Sequence, residues 1–262
     1  MISTQMTFKR YEIKYLLTSE QKSAFMNGMR EYMMPDSFGR SVIRNIYYDT
    51  PDCRLARRSI EKPMYKEKLR VRSYTRPGYD DNVFIELKKK YDSVVYKRRM
   101  GLPLRYTTAW LSDKITCPDN SQVAREIDYF KSVYINLEPK AYISYEREAF
   151  YAKDDHEFRV TFDENILARI HDLTLMSDPS GRSLLENGTT LMEIKVGAAM
   201  PIWCASLLSE LKIYPYSFSK YGTVYKKMLA SSIRIEEEIP CLITSSEAFL
   251  ITPKQSYPCR IS

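Results

Sequence analysis

Histidine is nearly missing from this 262-residue chain, which has only His156 and His171, and glycine is scarce at eight residues. Both histidines fall in polar, turn-like stretches, so neither a Ser-His-Asp nor a Cys-His arrangement is readable. The sequence also lacks G-x-x-x-x-G-K-[ST] and G-x-G-x-x-G, which excludes the phosphate-cradling loops of the common nucleotide-binding folds. Its five cysteines, Cys53, Cys117, Cys204, Cys241 and Cys259, are odd in number, scattered and without C-x-x-C spacing. They read as reduced thiols, not as zinc ligands or disulfides. No apolar run approaches the roughly 18 residues of a membrane-spanning helix. The opening stretch MISTQMTFKRYEIKYLL has neither the apolar core nor the cleavage site of a signal peptide. The expectation is a cytoplasmic protein with no transmembrane segment.

What the chain does have is charge placed at every second residue. In KEKLRVRSY, Lys68, Arg70 and Arg72 alternate with Leu69 and Val71, and a strand sends such alternating side chains to opposite faces. The split recurs in YEIKYLL with Glu12 and Lys14, and in VFIELKKK with Glu86, Lys88 and Lys90. It recurs again in FRVTFD with Arg159 and Asp163, and in LMEIKV with Glu193 and Lys195. The expectation is one sheet surface that is charged throughout. Adding Arg10 and Arg147 gives ten bases against the four acids Glu12, Glu86, Asp163 and Glu193, whereas the whole chain holds 40 Lys and Arg against 33 Asp and Glu. An ordinary antiparallel sheet with its charged face in water explains any single strand. It does not explain the imbalance of the set, because a solvated face gains nothing from crowding like charges, while a receptor for a dense polyanion requires it.

Along the chain, Thr18 with Gln21 reads as a capping box for a helix through Met34, with Phe25, Met29 and Met33 as core. RNIYYDTP reads as a strand ending in a turn at residues 49–52. Strands follow at 65–75, 82–90 and 93–101. Between Pro103 and Pro139 the period lengthens to that of a helix, with Val123, Ile127, Phe130 and Tyr134 on one face. Strands resume in AYISYEREAFYA, FRVTFDENILARI and LMEIKV, Pro201 opens a helix, and FSKYG leads into a last helix to about Arg234. The reading is one α+β domain over 1–235 with a loosely attached tail over 236–262.

Arginine's fork grips two phosphate oxygens and lysine supplies a compact charge. If the strands close into a barrel with helices outside, the charged faces line a tunnel that water and a polyanion must fill, since unpaired buried charges cost several kcal/mol each. Glu193 is the first choice of ligand for a hard divalent cation, with a salt bridge to Lys195 or an arginine as its alternative. Glu12 and Glu86 read equally as partners of the lining bases. Bases plus one metal suffice for phosphoryl transfer, which needs mainly positioning and charge stabilisation.

Taken in order, RYEIKYLL, NIYYDTPD, KLRVRSY, VFIELKKK, VVYKRR, ISYEREAF, FRVTFD, LMEIKV and FSKYG resemble the VTC domain of polyphosphate polymerases, a CYTH-like branch of the triphosphate tunnel metalloenzymes, from about Phe8 to about Lys227. The resemblance implies a closed antiparallel tunnel barrel. That barrel would move the terminal phosphoryl group of ATP onto inorganic polyphosphate with Mn²⁺ or Mg²⁺. It implies a phosphate-binding set of Lys14, Arg70, Arg72, Lys88, Lys97, Arg147, Arg159, Lys195, Ser219 and Lys220, with Glu193 on the metal. Of these, Lys14, Arg70, Arg72, Lys88, Lys195 and Glu193 would serve the chemistry. In KRR, Lys97 and Arg99 share a face. Hydrolytic tunnel enzymes open with E-x-E-x-K, and Arg10 stands here in place of the first glutamate, which favours polymerase over triphosphatase. A non-catalytic sensor of polyphosphate or an inositol polyphosphate is the reading from another class. No nucleic-acid partner is expected, and a separate membrane partner is left open.

Overall fold

The computed structural model describes residues 11–61, 63–92, 94–197 and 199–230. Arg10, the boundary near residue 235 and the 236–262 segment lie outside these. The elements run β1 (Tyr11–Leu17), α1 (Ser19–Gly28), β2 (Met33–Pro35), β3 (Ser41–Asp49), α2 (Arg54–Glu61), β4 (Tyr65–Ser73), β5 (Asn82–Tyr91) and β6 (Val94–Pro103). They continue with α3 (Leu104–Leu111), α4 (Gln122–Val133), β7 (Glu138–Ala152), β8 (Arg159–Arg169), β9 (Arg182–Ser183), β10 (Thr190–Val196), α5 (Ile202–Glu210) and α6 (Lys220–Val224). The last helix goes on as a π-helical turn over Tyr225–Leu229.

Most elements sit where the sequence pattern puts them. Thr18 accepts the Gln21 N–H while the Gln21 side chain accepts the Thr18 N–H, so the capping box forms. The helix stops at Gly28, however, and not at Met34. Residues 33–35 form a short strand on β7 instead, which still leaves Met29 and Met33 in the core. The helical insertion between the two prolines is two helices, α3 and α4, with Ile127, Phe130 and Tyr134 buried as the period requires.

The strands pair antiparallel in the order β1-β10-β8-β7-β3-β4-β5-β6. The sheet rolls up, since the Lys88 ammonium on β5 reaches Glu12 on β1 at 3.1 Å although those strands lie near opposite ends of the order. The expected closed barrel needs correction, because no ladder joins β1 to β6 among the described residues. The reason is local. The edge of β1 facing away from β10 is taken by Pro215 and Tyr216, whose N–H donates to the Lys14 carbonyl at 2.7 Å. A seam remains, spanned by side chains.

The convex face carries two apolar layers. Leu69, Val71, Ile85 and Leu87 pack under Trp110, Ile127 and Phe130 of α3 and α4, and Leu17, Phe162, Met192 and Ile194 pack under Phe25 of α1 and Cys204 of α5. Burying each such side chain contributes about 1.5–3 kcal/mol. The concave face departs from the expectation of charge throughout and of helices only outside. Its Ile43, Tyr47, Ala141, Ile143, Tyr145 and Leu191 are apolar or aromatic, and they pack against Tyr221 and Val224 of α6 and Leu229 just beyond it. The last helix therefore plugs one part of the concave face and leaves the charged part as a basin.

Asp49 ties this plug in place. Its buried carboxylate accepts the N–H groups of Thr50, Leu55 and Ala56 at 2.8–2.9 Å, which caps α2, and the Tyr221 hydroxyl at 2.8 Å. Tyr221 also stacks on Tyr47 with ring centroids 4.7 Å apart. Asp49→Ala removes the cap and orphans a buried hydroxyl, so it is expected to cost roughly 2–4 kcal/mol. Urea denaturation measures this, and an unchanged midpoint would refute the assigned role.

Candidate functional site

Four carboxylates organise the basin, and each is shared by more cations than it can neutralise. Glu86 on β5, 1% exposed, takes Arg70 at 2.7 Å from β4, and Lys97 and Arg99, both at 2.7 Å, from β6. Arg72 lies 3.8 Å away and spends its donors on Asn45 and the Tyr145 hydroxyl, both at 2.9 Å. Arg70 also donates to the Tyr47 hydroxyl at 3.0 Å. Burial alone raises the Glu86 carboxyl, but Arg70, Arg72 and Lys97 outweigh it and hold the group ionised far below the usual range.

On the other wall Asp163, fully buried on β8, is gripped by both arms of Arg147 at 2.5 and 2.6 Å and by Lys220 at 2.5 Å. Glu193 on the adjacent β10 receives Lys220 at 3.3 Å, Arg147 at 3.4 Å and Lys14 at 3.5 Å. Burial works against its charge, yet Lys220, Lys14 and Arg147 hold its carboxyl well below the ordinary value. Glu12 pairs with Lys88 at 3.1 Å and Lys14 at 3.5 Å. Burial raises this carboxyl and Glu193 repels it, but Lys88 and Lys14 bring it to about 2.

Neither Lys195 nor Lys68 has a carboxylate within bonding distance among the described residues. Lys195, across from Arg159 in the ladder, is pushed down to about 8 by burial and by Arg147 despite Glu12 and Glu193 nearby. Lys68 on β4 donates to the Ser219 hydroxyl at 2.9 Å. Ser219 in turn caps α6 by accepting the Gly222 N–H at 3.1 Å.

The structure thus brings together Lys14, Arg147, Glu193 and Lys220. It groups Arg70, Arg72 and Lys97 about Glu86, joins Lys88 through Glu12, and sets Ser219 beside the Lys14-bound Phe218 carbonyl. Arg159 stands apart, with its side chain 44% exposed and bonded to Asp36 at 2.9 Å. Lys97 is equally exposed at the rim. The alternation in FRVTFD and KRR puts Asp163 and Arg99 on the face but carries no sign that Asp163 takes two cations or that Arg99 reaches Glu86. Tyr47 and Tyr145 were missed as acceptors for arginine, and only their strand parity with Asn45 and Arg147 marks them.

A hard divalent cation takes oxygen ligands and is commonly held by one or two carboxylates plus phosphate. Glu193 and Glu12 fit that donor set, since they flank Lys14, repel each other and are restrained by cations alone. Among the described residues no three His, Cys, Asp or Glu side chains converge on one point. An ion bound there would complete its shell with water and phosphate oxygens.

A carboxyl held at about 2 binds fewer protons in the folded than in the unfolded chain between pH 4.5 and about 2. Its stabilisation is therefore complete above pH 4.5 and is lost as pH falls through that window, and Glu86 and Glu193 act in the same direction. Thermal midpoints measured against pH are expected to fall below 4.5 in the natural protein and less steeply in Glu12→Gln. Equal slopes would contradict the pairing.

The family model of the VTC domain matches residues 9–229. A solved structure described as a putative adenylate cyclase from Bacillus halodurans is similar at a TM-score of 0.52, with 13% identity over 84% of this chain and 99% of that one. A second, described as a putative adenylate cyclase from Vibrio parahaemolyticus, gives a TM-score of 0.43 with 14% identity over 86% of this chain and 99% of that one. No curated protein sequence matches. Among the described residues no helix is long and apolar enough to cross a membrane.

Proposed function

The chain belongs to the VTC domain family, and from that premise we propose that it is a metal-dependent phosphotransferase that extends inorganic polyphosphate at the expense of ATP. The observation that carries the reading is the imbalance inside the basin. Glu12, Glu86, Asp163 and Glu193 are shared among Lys14, Arg70, Arg72, Lys88, Lys97, Arg99, Arg147 and Lys220, while Lys68 and Lys195 have none in bonding reach. A linear polyanion with a charge on every phosphoryl group offsets that excess along its length.

In this reading Arg70 and Arg72 hold adjacent phosphoryl groups, with Tyr47, Tyr145 and Asn45 fixing the guanidinium planes. Lys14, Arg147 and Lys220 gather at Glu193, where the transferred group would lie. A terminal oxygen of the polyphosphate chain attacks the γ-phosphorus of ATP, the bond to the β-phosphate oxygen breaks, and ADP leaves. Mn²⁺ or Mg²⁺ held by Glu193 would supply further neutralisation of phosphate oxygens when bound. Arg159 and Lys97, both at the exposed rim, would guide the chain to the basin and take no part in the transfer. The rolled sheet with its side-chain seam stands here for the closed tunnel, and this reading needs enclosure, not a continuous ladder. The cytoplasm, where ATP is abundant, is the compartment the reading requires.

Incubation of the protein with γ-labelled ATP and Mn²⁺, with products resolved by gel, is expected to give a ladder of chains. Glu193→Gln, which removes one charge at near-constant volume, is expected to abolish turnover while the fold persists. Free phosphate as the sole product would replace this reading by a triphosphatase. Unchanged ATP despite tight binding would replace it by a sensor, and near-normal rates in Glu193→Gln would remove that residue from the metal.

A further inference from the structure

The cations around the start of α6 are unequally satisfied. Lys14 has the Phe218 carbonyl at 3.0 Å and two carboxylates at 3.5 Å. Lys88 has Glu12 at 3.1 Å, and Arg70 has Glu86 at 2.7 Å. Lys68 has only the Ser219 hydroxyl at 2.9 Å among the described residues. A hydroxyl contributes a dipole and no charge, so it cannot offset the repulsion of four neighbouring cations. Burial first, then Lys14, Lys88, Lys66 and Arg70, hold the Lys68 ammonium well below the ordinary lysine range. Strand alternation puts Lys68 on the charged face, yet the phosphate-binding set implied by the family likeness includes Ser219 and omits Lys68.

We infer that Lys68 and Ser219, flanked by Lys14 and Lys88, form a phosphate subsite of their own that takes one phosphoryl group of a linear triphosphate or polyphosphate. The inference rests on the phosphotransferase reading of the same basin. The Ser219 oxygen already accepts from Lys68 and from the Gly222 N–H, so its own proton is free to be donated to a phosphoryl oxygen. That oxygen accepts from the Lys68 ammonium as well and supplies the negative charge that no carboxylate of the described residues brings to this point.

A Lys68–Ser219 bond that served only to anchor α6 would make the opposite predictions. Removing an anchor lowers the stability of the free protein and leaves ligand affinity intact. Removing an uncompensated ammonium leaves the free protein as stable or more so and weakens ligand binding. The test is calorimetric binding of sodium tripolyphosphate without metal, together with melting temperatures, for the full chain and for Lys68→Met and Lys68→Arg. Affinity is expected to fall about tenfold or more in Lys68→Met, the loss expected for one charge-assisted hydrogen bond. The melting temperature of the free variant should not fall, and Lys68→Arg should keep most of the affinity. Should the methionine variant not fold, Lys68→Gln, which retains a polar partner for Ser219, carries the same comparison. Unchanged affinity in the neutral variant overturns the subsite and leaves the wider reading standing, because binding by the natural protein is measured in the same series. Absence of binding by the natural protein overturns both.

Discussion

Everything in this molecule turns on the cost of crowding cations on a concave surface. An enclosed ammonium or guanidinium must find a counter-charge or hydrogen-bond acceptors, or lose its proton. The sheet supplies four carboxylates and spaces them so that each serves several bases. Glu86 holds three cations in direct contact, and Asp163 is enclosed by Arg147 and Lys220. Tyrosine hydroxyls and Asn45 take up guanidinium donors that no carboxylate reaches. The remainder, at Lys68 and Lys195, has no carboxylate in bonding reach among the described residues. A protein that merely folds has no use for such a remainder, whereas a polyanion receptor keeps it for its ligand.

The other constraint is that this basin must be shaped by something apolar. The concave face is divided, with α6 and the turn after it packed against Tyr47, Tyr145 and Leu191. Asp49 fixes that division by capping α2 and holding Tyr221, the residue next to Lys220. The segment over residues 215–220 then does three jobs. Pro215 and Tyr216 cover the edge of β1, the Phe218 carbonyl receives Lys14, and Ser219 and Lys220 reach Lys68 and the carboxylates of Asp163 and Glu193. Structural closure and the proposed ligand chemistry thus fall to the same few residues.

Strand parity made most of this readable in advance. Period-two alternation in KLRVRSY and LMEIKV is a local property, so it assigned Arg70, Arg72, Glu193 and Lys195 to one face before any tertiary contact was known. The capping box at Thr18 was local too. What failed depended on distant partners. Residues 33–35 follow a helix-like pattern but gain more by pairing with β7, and no local signal announces this. The seam at β1 arises from a segment some two hundred residues away. The plug on the concave face escaped because the alternation of Tyr47 and Tyr145 with apolar neighbours does not say which face is inside. Which acid pairs with which base was likewise invisible, since parity gives a face and never a distance.

On the proposed function, the unbalanced cations form an enclosed receptor for polyphosphate and not an exposed basic patch. The most direct measurement is the melting temperature with micromolar tripolyphosphate or short polyphosphate, at low salt and at about 0.15 M salt, with duplex DNA as the comparison. Enclosed charges are screened less than exposed ones, and a ligand that binds only the folded chain stabilises it by mass action. An enclosed receptor is expected to show a rise of several degrees that persists at about 0.15 M salt and that duplex DNA does not reproduce. A rise that vanishes in salt, or that DNA matches, would contradict it.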